Sequence, residues 1–421
     1  MDDAALERLV SLRRDLHRHP EPAWREFYTT ARLVEAVERV GIDELLVGPE
    51  VIDGGRLAVP DEDDLARWRD RALDAGADPA VVDRLEGGYT GLIAVLRRGE
   101  GPTVGLRVDI DALEREEAEG PDHHPAAAGF RSENDGAMHA CGHDAHAAIG
   151  VGVLEAIAAS DFSGTLKVFF QPAEEVIGGG KPLAGSGHLD DVDDLLAVHV
   201  GLDHPTGEVV AGIDGFLAIR QFHAEFSGEP AHAGGHPEAG RNAVQAAATA
   251  VGNLYAIPRH ADGATRINAG IIAGGSATNI IPETATIRGE ARGETTPLKA
   301  HVWEHAERIL RSAAEMHDCE AALSVEGDAP SATSDAALAE AVAGSAAGVD
   351  GVDSILDRDD LGGSEDATFL MRRVQERGGR AAYVCIGTDH PGGHHTSTFD
   401  VDEDSIRIGV ETLAGAIRAL D

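Results

Sequence analysis

The sequence predicts an α/β protein, a mixed sheet with helices on both faces, interrupted by a smaller domain of different pattern. Three observations carry this. Short apolar runs at 92–96, 104–108, 166–170, 195–198 and 381–386 alternate with stretches of helical periodicity. Polar residues stand where several of these runs end, namely Asp109/Asp111, Glu174/Glu175 and His199, and open α/β sheets place their sites there. Near residue 214 the alternation gives way to a β-α-β-β-α-β order, the ferredoxin-like unit.

Residues 3–19 put Leu6, Leu9, Val10 and Leu16 at helical spacing and stop at His19-Pro20-Glu21-Pro22, because proline cannot continue a helix. A second helical stretch, 27–40, stops at Gly41. Residues 42–60 read as irregular, and 61–85 as helical and highly charged. The run 92–96, bounded by glycines and arginines, reads as a buried strand, and the next, 104–108, ends in Asp109-Ile110-Asp111. In the loop Met138 to His146, Cys141 and His143 are two apart, which in extended backbone aims both at one face. Asp144 is placed to cap the helix that follows, to about residue 159. The strand 166–170 delivers Glu174-Glu175 past a proline stop. In extended backbone these adjacent carboxylates point opposite ways, so one is able to ligate a metal while the other reaches a water. The strand 195–198 ends at His199.

The inserted domain is read as strand 221–226, helix 242–254, strands 266–272 and 284–291, helix 297–316 and strand 321–325. This sets boundaries of 1–213, 214–326 and 327–421. From residue 335 helix and strand resume, followed by the glycine-rich loop Gly392-Gly393-His394-His395 and an amphipathic helix over 403–420.

With 43% hydrophobic residues but only 4% aromatic, the core must be built from Ala, Val, Leu and Ile. No apolar run approaches the roughly 18–20 residues of a membrane span, and Met1-Asp2-Asp3 is acidic where a signal peptide is basic, so a soluble cytoplasmic protein is expected. Three cysteines are too few for a disulfide framework. The net charge is −39, and among 35 basic residues just Lys167, Lys181 and Lys299 are lysines. A field of that sign repels nucleic acid and anionic membranes. The acids recur in clusters at 61–64, 114–119, 190–194 and 357–360, which reads as a hydrated, halophilic surface suited to high salt.

Taken singly, a surface Glu-Glu pair, a strand-end histidine and a loop His-His pair are commonplace. Together Cys141, His143, Glu175, His199 and His395 make a mixed N/O/S set larger than one tetrahedral site needs, suited to two metals with shared ligands, with Glu174 beside it.

The chain resembles the M20 family of metallopeptidases and amidohydrolases, in the branch of aminoacylase-, hippurate- and indoleacetyl-amino-acid-hydrolase-like enzymes. The likeness rests on Leu12–His17, Arg107–Leu113, Met138–His146, Gln171–Glu175, Ala197–His199, Ala231–Ala233, Asn279–Pro282 and Gly363–Ala367, in the family's order. The charged segment 59–91 and Gly393-His394-His395 followed by Phe399–Glu403 are similar to the members that hydrolyse aminobenzoyl-glutamate. The resemblance implies a zinc-peptidase-like α/β/α catalytic domain carrying a ferredoxin-like lid or dimerisation domain. It implies two divalent ions, Mn²⁺ or Zn²⁺ with Co²⁺ also suitable, held by Cys141 as the bridging ligand, His143, Glu175, His199 and His395. His395 is taken over His394 for its spacing from Phe399. By the same likeness Glu174 is the general base, and in the inserted domain His232 donates to the oxyanion while Arg292, with Asn279, holds the substrate's free carboxylate. The implied substrate is an N-acyl or N-aroyl amino acid, first of all aminobenzoyl-glutamate, with a broader N-acyl-amino-acid hydrolase as alternative. The implied partner is a second copy or a related subunit, met through the lid. A metal-binding protein on a retired scaffold is the reading from another class; retention of Glu174, dispensable for binding, speaks against it.

Overall fold

The structure, a computed structural model, describes residues 1–52 and 54–421; Asp53, inside the stretch expected to be irregular, lies outside the described residues. Its strands in chain order are β1 (Glu44–Val47), β2 (Leu92–Arg97), β3 (Thr103–Asp109), β4 (Thr165–Gln171), β5 (Asp194–Val200), β6 (Glu208–Val210), β7 (Ile213–Asp214), β8 (Ala218–Ser227), β9 (Ala231–His232), β10 (Thr265–Gly274), β11 (Ile280–Ile281), β12 (Thr284–Gly293), β13 (Glu320–Ala329), β14 (Ser354–Leu356), β15 (Asp359–Asp360) and β16 (Arg380–Ile386). They fall into two compact units, one of residues 1–214, 332–361 and 366–421, the other of residues 215–331 and 362–365.

The first unit is built on an eight-stranded sheet of order β1-β2-β4-β3-β5-β16-β6-β14. Its central strands β4, β3, β5 and β16 run parallel, so Gln171, Asp109, Val200 and Ile386 all finish at one edge. Parallel strands covered on both faces must be apolar along their whole length, and β5, Asp-Leu-Leu-Ala-Val-His-Val, is buried at every position. The helix His143–Ala158, apolar nearly all round, packs on β3, β4 and β5 and is itself covered by the helices Asp3–Arg18 and Asp404–Arg418. The helix Ala367–Glu376 packs on β5 and β16.

The fold departs from the expectation in three places. Part of the irregular stretch is an edge strand, β1, antiparallel to β2. The stretch read as one helix over 61–85 is the helix Glu62–Asp74, capped by Asp61, and a second turn, Pro79–Val82, with Gly76 in left-handed backbone between them. The strands β6, β7, β14 and β15 are two or three residues long, too short to show a period of two.

The second unit is a four-stranded antiparallel sheet, β10-β12-β8-β13, with the helices Ala243–Leu254 and Thr296–Met316 packed on it through Phe222, Phe226, Ile287, Leu254 and Leu310. The chain order β8-helix-β10-β12-helix-β13 is the ferredoxin-like order. Residue 326, where this domain was expected to end, falls inside β13. A bulge between Val325 and Gly327 carries the strand on, and Asp328 is paired with Lys299 (2.8 Å) and Arg220 (3.1 Å). Among the described residues no helix is long and apolar enough to cross a membrane.

Candidate metal centre

At the carboxyl edge of the first unit's parallel strands, donors from four chain segments converge. Ligand atoms of Cys141, His143 and His199 lie within 4.8 Å of one another, as do those of Cys141, Glu175 and His395 and those of His143, Glu174 and Glu175. The hydrogen bonds of the imidazoles say what each ring offers. His143 Nδ1 donates to the Asp111 carbonyl at 2.9 Å, and its Nε2 is buried, without a hydrogen-bond partner, 3.8 Å from Glu175 Oε1. Burial opposes charge on this ring, but Asp109 outweighs it and pushes the pKa well above the ordinary value, so a cation at Nε2 would displace a proton. His199 Nδ1 donates to the Val200 carbonyl at 2.8 Å, and its Nε2 stands 3.4 Å from Cys141 Sγ. A ring whose Nδ1 proton is spent on a backbone carbonyl is the form that binds metal through Nε2.

The electrostatics agree with a cation site. Burial, together with the Glu175 charge, pushes the Cys141 thiol well above its ordinary value, so the sulfur keeps its proton until a cation displaces it. Burial, with His146 and His394 nearby, holds His199 well below the usual range, so the ring is neutral. A thiolate, imidazoles and a carboxylate with fixed tautomers fit divalent transition metals.

The backbone that presents these groups differs from the extended form expected. Gly142, at φ 91°, is the N-cap, and His143 opens the helix. A Cβ at residue 142 would come within 2.5 Å of Val200 Cγ2, so only glycine fits between Cys141 and His143. Asp144 is therefore not the cap. It is the second helical residue, buried, and paired with Arg13 (2.7 Å) and His17 (2.8 Å) of the first helix. The Glu174-Glu175 pair is likewise in a turn, after Ala173 at φ 58°, and both carboxylates reach His143 instead of diverging. Three successive N–H groups are captured there: Ala173 by Glu26 (2.8 Å), Glu174 and Glu175 by the two oxygens of Asp111 (3.0 Å each).

The two adjacent histidines take different places. His395, in left-handed backbone, faces Glu175 Oε2 at 3.5 Å and joins the group with Cys141. His394 lies behind the sulfur, 3.6 Å from it.

A model of peptidase family M20/M25/M40 matches residues 105–419. The chain belongs to that family. Among M20 relatives, indole-3-acetyl-aspartic acid hydrolase of Enterobacter agglomerans is 41% identical over 97% of this chain and 95% of its own. A p-aminobenzoyl-glutamate hydrolase subunit of Escherichia coli (strain K12) is 40% identical over 97% and 94%. The crystal structure of an aminobenzoyl-glutamate utilization protein from Klebsiella pneumoniae superposes with a TM-score of 0.84 at 36% identity, covering 99% of this chain and 96% of that one.

In the second unit of this M20 chain, His232 lies on β9 opposite Ile280 of β11, next to Asn279, whose carbonyl accepts from Ala233 N at 2.9 Å. His232 Nδ1 accepts from Gly234 N (3.1 Å) and Gly235 N (3.0 Å), so the proton sits on the exposed Nε2, ready to be donated. Arg292 is at the other end of β12, eight residues or about 27 Å of strand beyond Thr284. It makes a two-pronged pair with Glu290 (2.8 and 3.0 Å). Asn279 and Arg292 of one copy therefore do not meet, contrary to the expectation that the two share one carboxylate.

The supporting residues include the strand-end pair Asp109/Asp111, which the sequence placed at the site without a role, and Glu26 and His146, which it missed. Asp109 bridges Arg107 (2.7 Å) and His146, which stands one helical turn after His143, and Asp111 and Glu26 hold the 173–175 turn. The alternation Asp109-Ile110-Asp111 at a strand end was the available signal; nothing local marks Glu26.

Proposed function

We propose that the chain is a two-metal amidohydrolase that cleaves the amide between an aromatic acyl group and an amino acid, with aminobenzoyl-glutamate as first substrate. One observation carries this: His143 and His199 each spend Nδ1 on a carbonyl and turn Nε2 toward Cys141 and Glu175, with the buried Glu174 alongside. On this reading Cys141, as the shared ligand, together with His143, Glu175, His199 and His395, would hold two ions, Zn²⁺, Mn²⁺ or Co²⁺. The bound ions would acidify water and polarise the scissile carbonyl. Glu174 takes the proton of the attacking water and passes it to the leaving amine nitrogen, as base and then as acid. His232 Nε2–H donates to the tetrahedral oxyanion, and Arg292 binds the free carboxylate of the substrate.

Because His232 and Arg292 lie at opposite ends of the second unit's sheet, the reading extends to a pair of copies, or a copy and a related subunit. One would supply the arginine and the other the histidine. The edge strand β10 supports such a pairing, since Ile271 and Ile272 on it are 56% and 53% exposed. Both curated relatives are named for an aromatic acyl group on an acidic amino acid, aspartate or glutamate. That shared chemistry favours a dicarboxylate product and makes indoleacetyl-aspartate the second candidate. We place the enzyme in the cytoplasm.

A substrate panel tests this: aminobenzoyl-glutamate, indoleacetyl-aspartate, hippurate and acetylated amino acids, assayed at high salt with each metal. The two aromatic acidic amides should be turned over with the highest kcat/KM. Turnover of hippurate without turnover of aminobenzoyl-glutamate would reject the substrate assignment, and background rates throughout would favour the binding-protein reading.

A further inference from the structure

We propose that His394, the residue before the candidate ligand His395, is a positioning residue that donates a hydrogen bond to the Cys141 sulfur. The inference rests on Cys141 being a metal-bridging thiolate. Besides His143, the rings of His199 and His394 lie against this sulfur, and their other nitrogens tell these two apart. His199 gives its Nδ1 proton to the Val200 carbonyl (2.8 Å), so a lone pair at Nε2 faces Sγ at 3.4 Å. Without a metal the thiol proton occupies that contact, and a cation that displaces it would take its place. His394 is the reverse. Its Nε2 accepts the Leu202 N–H at 3.0 Å, and a neutral imidazole has one proton, so Nδ1 carries it, 3.6 Å from Sγ. One ring thus presents a ligand and the other a donor.

The His394 ring is held in this orientation from every side. Its centroid is 5.3 Å from that of His199, 5.0 Å from His390 and 4.8 Å from Phe399. Gly201, at φ 81°, leaves the space it fills: a Cβ there would come within 2.7 Å of His394 Nε2. An N–H aimed at a thiolate draws charge from the sulfur and fixes which of its lone pairs face the metals, as hydrogen bonds to metal ligands do elsewhere. The doubled histidine then has a division of labour, with His395 taking a metal and His394 holding the sulfur that bridges the pair.

Cobalt is the probe. The metal-free protein is titrated with Co²⁺ while the thiolate-to-cobalt charge-transfer band and the bound cobalt are followed, in the wild type and in His394→Leu, His394→Gln and His395→Leu. Thermal unfolding of the metal-free forms controls for folding. We expect His394→Leu to bind two cobalt ions roughly 10- to 100-fold more weakly, with the band shifted. His394→Gln, which keeps an N–H, should recover part of both effects and serves alone if the leucine variant does not fold. His395→Leu should instead lose one ion. Wild-type affinity and band position in His394→Leu would overturn the inference while leaving the two-metal reading standing, as would loss of one ion in that variant. A wild-type protein that binds cobalt without any thiolate band would sink both.

Discussion

Cys141, His143 and His199 of the first unit are almost wholly buried, at 8%, 1% and 4% exposure, and the backbone holds each imidazole in one tautomer. In the second unit His232 and Asn279 are exposed, and Arg292 is half-buried against Glu290. The first group is organised by the fold that contains it: parallel strand ends, a helix N-terminus, and the two carboxylates under the 173–175 turn. In the second group, strand and turn set the direction of the side chains, but nothing within the unit excludes water from them. A hydrogen bond to a developing oxyanion counts for much only in a dry site. On the proposed reading, these residues gain their effect when another surface covers them, whereas the buried group lies within one unit.

The comparison breaks most readily at Glu174. Glu174→Gln should lower kcat by about 10²–10⁴-fold or more, the range of general acid–base catalysis, with metal content unchanged, because the carboxylate acts on the proton and not on the ions. Mass spectrometry or atomic absorption for the metals, alongside the amide assay, reads both quantities. Equal rates in variant and wild type would remove the catalytic role from the buried group.

On the exposed side, His232→Ala should lower kcat by roughly 10²–10³-fold, the cost of one oxyanion donor, and leave metal binding untouched. Mixing the His232→Ala and Glu174→Gln proteins sharpens this further. If histidine and glutamate of one working site come from different copies, two inactive preparations should regain activity on re-pairing. No recovery after subunit exchange would return His232 to its own chain.

Arg292→Ala is expected to have a smaller effect. Losing a charge-assisted pair of about 1.5–3 kcal/mol corresponds to roughly 10–150-fold in kcat/KM, carried by KM. The penalty should vanish for a substrate whose free carboxylate is amidated. An equal loss on both substrates would mean that Arg292 supports the fold through Glu290.

How much of this was legible in the sequence follows the same division. The strand ends were readable because a buried parallel strand is an unbroken apolar run, so the polar residue that ends it stands out: Asp109, Glu174 and His199 were found this way. What was not readable is backbone that leaves the regular forms. The left-handed Ala173, the glycine cap at 142 and the left-handed His395 decide where Glu174, Glu175 and Cys141 point. No periodicity reports them. Asp144 shows the cost: a short acidic residue at a helix start looks like a cap, but here it is spent on Arg13 and His17, partners some 130 residues away in the chain. In the second unit the four strands were read in their order, yet the span between Asn279 and Arg292 becomes visible only when β12 is laid out.

The Asp144 network gives the last and smallest test, on stability. His17 is fully buried between Asp144 (2.8 Å) and Glu117 (3.0 Å), and it lies beside Arg13. Burial and the Arg13 charge push its pKa down, but the hydrogen bonds to the two carboxylates outweigh them, and it is pushed up to about 9 from an ordinary 6.5. A group whose folded pKa is raised contributes stability that is fully present below the unfolded value and is lost as pH climbs through the folded one. The unfolding midpoint of the wild type should therefore exceed that of His17→Asn by most near pH 6 and by progressively less from pH 6.5 to beyond 9. The opposite slope would mean that the ring is neutral in the fold. In that case Arg13 is the one cation of the first helix that faces Asp144, while Glu403 keeps Arg14 as a further partner and Asp400 keeps His124.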